Sequence, residues 1–331
     1  MPARKSFDVV VIGAPSVDLV FSDMPHWPAP GKEMYVPGFG IGAGAAFNTA
    51  ATLSRLGLRV GLLSELGNDF FSRYILEEID RVGISRDLLL LRERPLRTIS
   101  VCLAHEGERG FVSFTDAQDE PGEQRTLLDS SVNHVPGAQP SALSNNELHR
   151  LLDGCDFRAA FLYALPTISP LLDILEAHNA RIFFDTGWDP QVLSDPRLPS
   201  VIRRGDGIMP NQIEAEYLTK SAGPEEAVRA LAELVPTAIV KVGSAGVIAC
   251  QRGELRRCPA FPVERVVDTT GAGDAFNAGF IYGTLKGYLL EEALCCGTIC
   301  GSLSTTAITG TAAVPSADEL ERLRCQAWPA C

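Results

Sequence analysis

Short apolar runs alternate with helical patterns along most of this 331-residue chain. Apolar runs of about four to eight residues suit buried strands, and the longer segments between them repeat apolar residues with a helical period. The alternation predicts an α/β fold in which a mostly parallel central sheet is flanked by helices. Strands are expected at 8–13, 59–64, 159–165, 181–185, 207–209, 237–242 and 246–250. Helices are expected at 45–56, 69–82, 168–179, 211–219, 224–234, 274–287, 290–307 and 316–326.

Two segments break this rhythm. Residues 14–41 contain five prolines, and residues 92–116 alternate apolar and polar side chains, which is typical of an antiparallel hairpin. We expect both segments to form a small β-lid over the edge of the central sheet. The polar, Pro- and Gly-rich residues 117–146 are expected to form a surface loop. Since no linker-like change of composition occurs, we predict one domain over residues 1–331.

Composition argues against several classes of partner. The formal net charge is −12, and no block of lysine or arginine occurs, so neither nucleic acid nor an anionic membrane surface is expected as a main partner. The apolar run near the N-terminus is too short for a signal peptide, and no run of about 20 apolar residues occurs. The nine cysteines form no Cys-x-x-Cys pair, which favours a reducing cytoplasm over a disulfide framework.

The most informative turn lies at 267–276 and reads Val-Asp-Thr-Thr-Gly-Ala-Gly-Asp-Ala-Phe. A glycine-rich turn that opens a helix presents unpaired N–H groups and the positive end of the helix dipole to an anion. Gly271, Ala272 and Gly273 are therefore a candidate anion site. Asp274 lies in the first helical turn, where a carboxylate repels a bound phosphate but is placed to take a proton from a substrate hydroxyl. The alternative is an aspartate that only complements the helix dipole.

Two earlier groups are candidates for binding a substrate. The small residues at 42–46, which include Gly42 and Gly44, let the backbone approach a ligand, and Asn48 offers both a donor and an acceptor. A dinucleotide-binding reading of this Gly-x-Gly is disfavoured because no buried strand precedes it. Asn48 capping a helix is the other interpretation. Asp18 follows the first strand, where it suits a vicinal diol but also an ordinary turn.

Two later groups leave similar alternatives open. Asn211 and Glu214 lie on one face at the start of a helix, where they can order water around a magnesium ion or form a capping box. Residues 241–246, Lys-Val-Gly-Ser-Ala-Gly, form a turn at the end of a strand, either beside a nucleotide or as a simple hairpin connection.

Taken in order, these motifs resemble the ribokinase, or PfkB, family of carbohydrate kinases. The resemblance rests on five segments and runs from about residue 8 to 324. They are Pro-Ala-Pro-Gly at 28–31, Ala-Gly-Ala-Ala-Phe-Asn at 43–48, Asn-x-x-Glu at 211–214, the turn at 241–246 and Asp-Thr-Thr-Gly-Ala-Gly-Asp-Ala-Phe at 268–276. It implies a ribokinase-like fold with a Rossmann-like sheet and a small β-lid.

The resemblance also implies roles for particular residues. Asp274 would be the catalytic base, with the amides of Gly271–Gly273 as the anion hole for a phosphoryl group transferred from ATP. The substrate contacts would be Asp18, Gly44 and Asn48. Asn211 and Glu214 would organise Mg²⁺ and the phosphates, and Glu214 would bind the ion through water. The nucleotide pocket would be shaped by Lys241, Gly243, Gly246 and Thr298, and a monovalent cation such as K⁺ would bind near Asp268 and Thr270.

This chain departs from common members of the family in three places. Thr298 replaces an Asn near the adenine, the loop 305–310 is one residue longer, and residues 185–189 lack the Asn and Arg of many fructokinase and ketogluconate kinase relatives. The expected activity is phosphorylation of a primary hydroxyl of a monosaccharide or sugar acid. A nucleoside kinase is the alternative, with a base stacked on Phe39, Phe111 or Phe114, and a non-catalytic sugar-binding regulator is a third. Pairing of lids in a homodimer is also expected from the family.

Overall fold

Strands and helices alternate much as the sequence predicts. The structure, a computed structural model, describes residues 4–105, 108–116, 125–127 and 142–327. The strands are β1 (Lys5–Ile12), β2 (Pro15–Ser22), β3 (Gly38–Ala45), β4 (Val60–Leu66), β5 (Leu89–Leu91), β6 (Thr98–His105), β7 (Glu108–Thr115), β8 (Arg125–Leu127), β9 (Ala142–Ser144), β10 (Cys155–Tyr163), β11 (Arg181–Asp185), β12 (Gly207–Ile208), β13 (Thr237–Lys241), β14 (Val247–Gln251) and β15 (Glu254–Cys258). The helices are α1 (Ala46–Arg55), α2 (Phe70–Arg81), α3 (Asn145–Leu152), α4 (Ser169–Ala177), α5 (Pro190–Leu193), α6 (Leu198–Ile202), α7 (Gln212–Thr219), α8 (Pro224–Ala232), α9 (Ala272–Lys286), α10 (Leu290–Ser304) and α11 (Ala317–Ala327).

The central sheet has nine strands in the order β15-β14-β13-β12-β11-β10-β1-β4-β5. All pairs from β5 to β13 are parallel, and only the β13–β14 and β14–β15 pairs are antiparallel. The predicted α/β fold with a mostly parallel sheet is therefore confirmed. In such a sheet, ligands gather at the carboxyl ends of the strands.

The strands are apolar on both faces because helices cover both. In β1, Val9 and Val11 belong to the core formed with α1, α2, α9, α10 and α11. Val10 and Ile12 point the other way, into the core formed with α3 to α8. Strand side chains alternate between faces, so a run with apolar residues at every position satisfies two cores at once.

The lid is a separate four-stranded sheet in the order β3-β2-β6-β7. β2 and β6 pair in parallel, while β3 and β7 flank them antiparallel. Its strands come from the two segments that interrupt the helix–strand rhythm, so the predicted β-lid and the predicted hairpin at 98–115 are present. We call the face that bears Asp18, Ser100 and Ser113 the inner face, and the face that bears Phe39, Ile99 and Phe114 the outer face.

Several short elements were not predicted. These are α3, α5, α6, β5 and β15, together with the small sheet formed by β8 and β9. The surface loop expected at 117–146 lies largely outside the described residues. The eight described cysteines form no disulfide with one another, and seven are buried. No helix in the described ranges is long and apolar enough to cross a membrane.

Candidate active site

The Gly-Ala-Gly-Asp turn opens helix α9. Gly271 occupies the N-cap position in the left-handed conformation, with φ of 74°, and no side chain caps the helix. The N–H groups of a first helical turn lack partners within the helix, so an uncapped start leaves them available to an anion. One of them, the N–H of Ala272, approaches the carbonyl of Thr269 at 3.3 Å. The predicted anion site therefore has the backbone that such binding requires.

Asp274 lies in that first turn with few polar neighbours. The amide nitrogen of Asn48 donates to its Oδ2 at 3.1 Å, and the hydroxyl of Tyr163 lies 3.5 Å from its Oδ1. Burial, which disfavours the charged form, raises the pKa of Asp274 to about 7. A carboxylate with such a pKa is suited to accept a proton near neutral pH. Its position fits a general base better than simple complementation of the helix dipole.

A lysine flanks the turn from the other side. A β-carbon placed on Gly273 would lie 3.3 Å from Nζ of Lys241, so the ammonium is next to the backbone of the anion site. Lys241 Nζ is held 2.7 Å from Oδ2 of Asp185, to which Asn277 also donates. Sequence reasoning selected Lys241 but missed Asp185 and Asn277, which hold the ammonium in place.

A cavity of about 330 Å³ lies under the inner face of the lid; we call it the acceptor cavity. Asp18, at the lid's inner face, is 9% exposed and accepts a hydrogen bond from the Ser16 hydroxyl at 2.7 Å. Burial raises the pKa of Asp18 to about 6. A β-carbon on Gly44 would lie only 1.9 Å from Oδ2 of Asp18, so glycine is required there by this carboxylate. At Gly42 the close neighbour is instead Thr309, at 2.9 Å.

Asn48 links the start of α9 to a second loop. Helix α1 is capped by Ala45 with no side-chain hydrogen bond, so Asn48 does not cap it. Its buried amide donates to Asp274, and β-carbons placed on Gly271 or Gly310 would come within 3.0 Å of it. The amide of Asn48 therefore packs closely between the turn and the loop that contains Gly310. Asn48 is therefore placed to orient the carboxylate of Asp274.

A larger cavity of about 640 Å³, which we call the nucleotide cavity, lies on the other side of the turn. Gly271 and Asp274 line the acceptor cavity, whereas Ala272 and Gly273 line the nucleotide cavity. The two cavities thus meet at the Gly-Ala-Gly-Asp turn. A group bound in one cavity can be transferred to a molecule in the other across that turn.

The predicted nucleotide residues lie around the larger cavity. Gly243 and Gly246, both with positive φ, form the connection between β13 and β14, so the turn is a hairpin connection and also lines the cavity. Thr298 lines it as well, but its hydroxyl donates to the Cys295 carbonyl of its own helix at 3.1 Å. Arg109, from the lid strand β7, is a further lining residue that sequence reasoning missed.

Asn211 and Glu214 form a capping box at the start of α7. Oδ1 of Asn211 accepts from the Glu214 N–H at 2.9 Å, and Oε2 of Glu214 accepts from the Asn211 N–H at 3.1 Å and from the Thr186 hydroxyl at 2.8 Å. Burial and the nearby charge of Asp185 raise the pKa of Glu214 to about 7. The capping box, which was the alternative interpretation, is therefore present. The pair also lies between the two cavities, because Glu214 lines the acceptor cavity and Asn211 lines the nucleotide cavity.

Asp268 and Thr270 lie just before the turn. The carboxylate of Asp268 accepts from the backbone N–H of Thr270 at 2.9 Å and from that of Thr309 at 3.1 Å. It therefore ties the turn to the loop 305–310. The Thr270 hydroxyl lies 3.5 Å from Sγ of Cys102 on the lid strand β6.

The lid aromatics divide between its two faces. Phe39 pairs with Phe21, and Phe114 stands opposite Ile99, so both side chains lie on the outer face, and neither of them lines the acceptor cavity. This placement removes Phe39 and Phe114 as platforms for a base. Phe111 lies on the inner face, and the aromatic residues that line the acceptor cavity are Tyr163 and Trp188.

Comparisons with known proteins agree with this geometry. The family described as pfkB family carbohydrate kinase matches residues 6–317. A fructokinase from Klebsiella pneumoniae is 29% identical over 310 residues, which cover 88% of this chain and 93% of the fructokinase. A cytidine kinase from Thermococcus kodakarensis is 28% identical over 304 residues, which cover 87% and 92% of the two chains. An Arabidopsis thaliana ribokinase, solved with ribose and ATP, shares the fold with a TM-score of 0.74 and 21% identity, covering 96% of this chain and 99% of the ribokinase.

A ribokinase-like fold with two cavities joined at a glycine-rich turn defines a class of phosphotransferases. The chain belongs to the PfkB family of carbohydrate kinases. It is an ATP-dependent kinase, as the motifs predict, and the resemblance read from the sequence is confirmed.

Proposed function

We propose that the protein transfers the γ-phosphoryl group of ATP to the hydroxymethyl group of a sugar or sugar acid. The meeting of the two cavities at the Gly271–Asp274 turn carries this proposal. ATP occupies the nucleotide cavity with its phosphates directed to the turn, and the acceptor lies against Asp18 and Asp274. This arrangement lets the acceptor hydroxyl and the γ-phosphate meet beside one backbone turn, with the attacking and leaving oxygens on opposite sides of the transferred phosphorus, as in-line transfer requires.

In this proposal Asp274 is the general base. It takes the proton from the acceptor hydroxyl, and Asn48 and Tyr163 hold its two oxygens in place. The N–H groups of the turn stabilise the charge on the transferred phosphoryl group, an effect that is strong where donors are fixed before the reaction. Lys241 adds positive charge beside the same turn.

Mg²⁺ fits the region between the cavities. Oε2 of Glu214 is used by Asn211 and Thr186, whereas no partner of its Oε1 is recorded among the described residues. Glu214 and Asp185 also repel each other, and a cation would relieve this repulsion. Asn211 and Glu214 would hold the ion mainly through water, with phosphate oxygens as further ligands. When bound, Mg²⁺ neutralises charge on the phosphates.

A monovalent cation such as K⁺ fits near Asp268 and Thr270. Asp268 is almost fully buried, and within the described part of the chain no lysine, arginine or histidine pairs with it. A buried carboxylate normally has a counter-charge, and a bound cation would supply one. Such an ion adds positive charge next to the anion site. Replacing potassium chloride by choline chloride should then lower kcat, and an unchanged kcat would exclude a cation requirement.

The relatives within the family suggest two classes of acceptor for this protein. The hydroxyl-bearing lining of the acceptor cavity supports a sugar, and the fructokinase relative acts on one by its name. The cytidine kinase relative supports the alternative, a nucleoside whose base would lie against Trp188 or Phe111 instead of Phe39 or Phe114. Steady-state assays with ATP over fructose, ribose, cytidine, inosine and adenosine distinguish the two classes by kcat/KM.

We also propose that the lid, as part of a single domain over residues 1–331, pairs with the lid of a second copy. The outer face supports this because it bears apolar side chains on each of its four strands, and some of them are exposed, with Phe39 58% and Val112 65% exposed. Sedimentation of the native protein and of Phe39→Asp would test the pairing. A dimer that the substitution converts to a monomer is expected, and a monomeric native protein would exclude it.

The proposed chemistry is tested with Asp274→Asn. Loss of a general base lowers kcat by about 10²–10⁴-fold, so we expect at least a 100-fold loss with unchanged ATP affinity. Asp195→Asn, at an exposed pair with Arg197, is the matched control and should keep full activity. More than about a tenth of native kcat in Asp274→Asn would show that this carboxylate is not the base.

A further inference from the structure

The two cavities carry opposite charges. Three carboxylates line the acceptor cavity, those of Asp18, Glu214 and Asp274, and none of its lining residues in the described part of the chain is a lysine, arginine or histidine. The lining of the nucleotide cavity has the opposite charge. Lys241 and Arg109 line it, and no described aspartate or glutamate does. Charge is therefore separated across the Gly-Ala-Gly-Asp turn.

Two of these carboxylates, Asp18 and Asp274, have no cationic side chain as a hydrogen-bond partner among the described residues. The recorded side-chain partner of Asp18 is the Ser16 hydroxyl, and those of Asp274 are Asn48 and Tyr163. Glu214 bonds to Thr186 and the backbone, and in the proposed function it faces Mg²⁺, so the selection rests on Asp18 and Asp274. Charges in such poorly solvated sites are weakly screened, so their fields act on whatever occupies the cavity. The nearest ammonium, on Lys241, is held by Asp185 on the nucleotide side.

The rest of the lining suits hydroxyl groups. Seven hydroxyl side chains line the cavity, those of Ser16, Thr98, Ser100, Ser113, Tyr163, Thr186 and Thr270. Ser100 and Ser113 stand opposite each other on the lid, with their oxygens 3.0 Å apart. Hydroxyls can both donate and accept, and carboxylates accept strongly, so the cavity offers the partners that a polyhydroxy compound needs.

From this separation of charge we infer that the acceptor is an uncharged polyhydroxy compound and that the carboxylates of the acceptor cavity select against sugar acids and sugar phosphates. The inference narrows the proposed function, on which it rests, by removing sugar acids from the acceptor class. The inference also has a consequence for product release. The phosphate of the product is an anion close to the same carboxylates, and their repulsion favours release of the product.

Matched pairs of acceptors test the inference. D-fructose with 2-keto-D-gluconate, and L-sorbose with 2-keto-L-gulonate, differ in whether C1 is a hydroxymethyl group or a carboxylate, and they are compared at about pH 8, where Asp18 and Asp274 are ionised. A unit charge about 6 Å from one such carboxylate at an effective dielectric of about 20 is disfavoured by roughly 100-fold. We expect kcat/KM for each acid to be lower than for its neutral partner by at least that factor.

A variant with an added cation provides a second test. Ser113→Lys places an ammonium on the inner face of the lid and should reduce the discrimination against acids by about tenfold or more. Ser200→Lys adds the same charge at an exposed position on α6, remote from the cavity, and should leave the ratio unchanged. An unchanged ratio in Ser113→Lys would contradict the electrostatic explanation.

The outcomes separate this inference from the proposed function. Acids that are phosphorylated as well as their neutral partners would overturn the inference and leave the kinase activity standing. Transfer to no acceptor by protein that binds ATP would overturn the proposed function. In that case calorimetry with the same pairs on Asp274→Asn, which retains the charge of Asp18, still decides the inference: tighter binding of the acids refutes it, and tighter binding of the neutral partners supports it.

Discussion

Asp274→Asn should make the protein more stable at alkaline pH while it removes the activity. Burial raises the pKa of this carboxyl from 3.8 to about 7. A group whose pKa is raised in the folded state contributes stability that is complete below the unfolded pKa and is lost as pH rises through the folded pKa. Ionised Asp274 therefore destabilises the native protein above pH 7, whereas asparagine carries no charge at any pH.

The size of this effect follows from the two pKa values. Their difference corresponds to about 4 kcal/mol of ionisation free energy. The hydrogen bond from Asn48 is weaker to an amide than to a carboxylate, and the side chain is only partly buried, so we expect a net gain of about 1–3 kcal/mol at pH 8.5. The gain should shrink through pH 7 and vanish near pH 4, because wild-type Asp274 is then protonated.

Thermal and urea unfolding midpoints at pH 5 and pH 8.5 measure this difference. Asp195→Asn is the control with the opposite sign, since its hydrogen bonds with Arg197 lower the pKa of Asp195 and the substitution removes a favourable charge. Substrate-free protein is used so that binding does not alter the midpoints. If Asp274→Asn is no more stable than the native protein at pH 8.5, burial does not disfavour this carboxylate, and the explanation of its raised pKa is wrong.

Other predictions follow from the same geometry. For the native protein, kcat/KM should fall about tenfold per pH unit below an apparent pKa near 7 and level off above it, because Asp274 must be ionised to act; a flat profile between pH 5 and 8 would contradict this role. Arg109→Ala should raise KM for ATP by about tenfold and leave that of the acceptor unchanged, as a lost charge-assisted contact predicts. Gly44→Ala should raise the acceptor KM because its methyl group meets the Asp18 carboxylate, whereas Gly154→Ala, with no atom within 4 Å, should behave as the native protein. Asp185→Asn should shift the acidic limb of the pH profile to lower pH, measured in the same assay, because it frees Lys241 to approach Asp274.

Most of the secondary structure could be predicted because its signals are local. Helix α2 shows this: Asp69 caps it, with side-chain bonds to the N–H groups of Phe71 and Ser72, and the predicted range 69–82 differs from Phe70–Arg81 by one residue at each end. Short elements lack such signals. Helices α5 and α6 have only four and five residues, too few for a helical period to appear. Strand β15 carries three charged residues on the edge of the sheet, so no apolar run marks it.

The residues of the candidate site could likewise be predicted only where their signals are local in the sequence. The anion turn and its aspartate are contiguous in sequence, so both could be selected from one segment. The inner and outer faces of the lid depend on strand register, which pairs residues far apart and which no single segment specifies. Arg109 is the example: its place beside the nucleotide cavity follows from the packing of β7 over the turn, and nothing in its own neighbourhood of the sequence indicates it.

A lysine that is distant in the sequence also affects the proposed base. Lys241 comes close enough to Asp274 for its charge to lower the pKa of that carboxyl, and a direct ion pair between them would lower it further and weaken the base. Asp185 prevents this pairing because it holds the ammonium at 2.7 Å, with Asn277 completing the arrangement. In the proposed function, the lysine can therefore stay beside the phosphates while the pKa of Asp274 remains near neutrality. Strands β11 and β13 and helix α9 each supply one member of this arrangement, so only the folded sheet brings the three together.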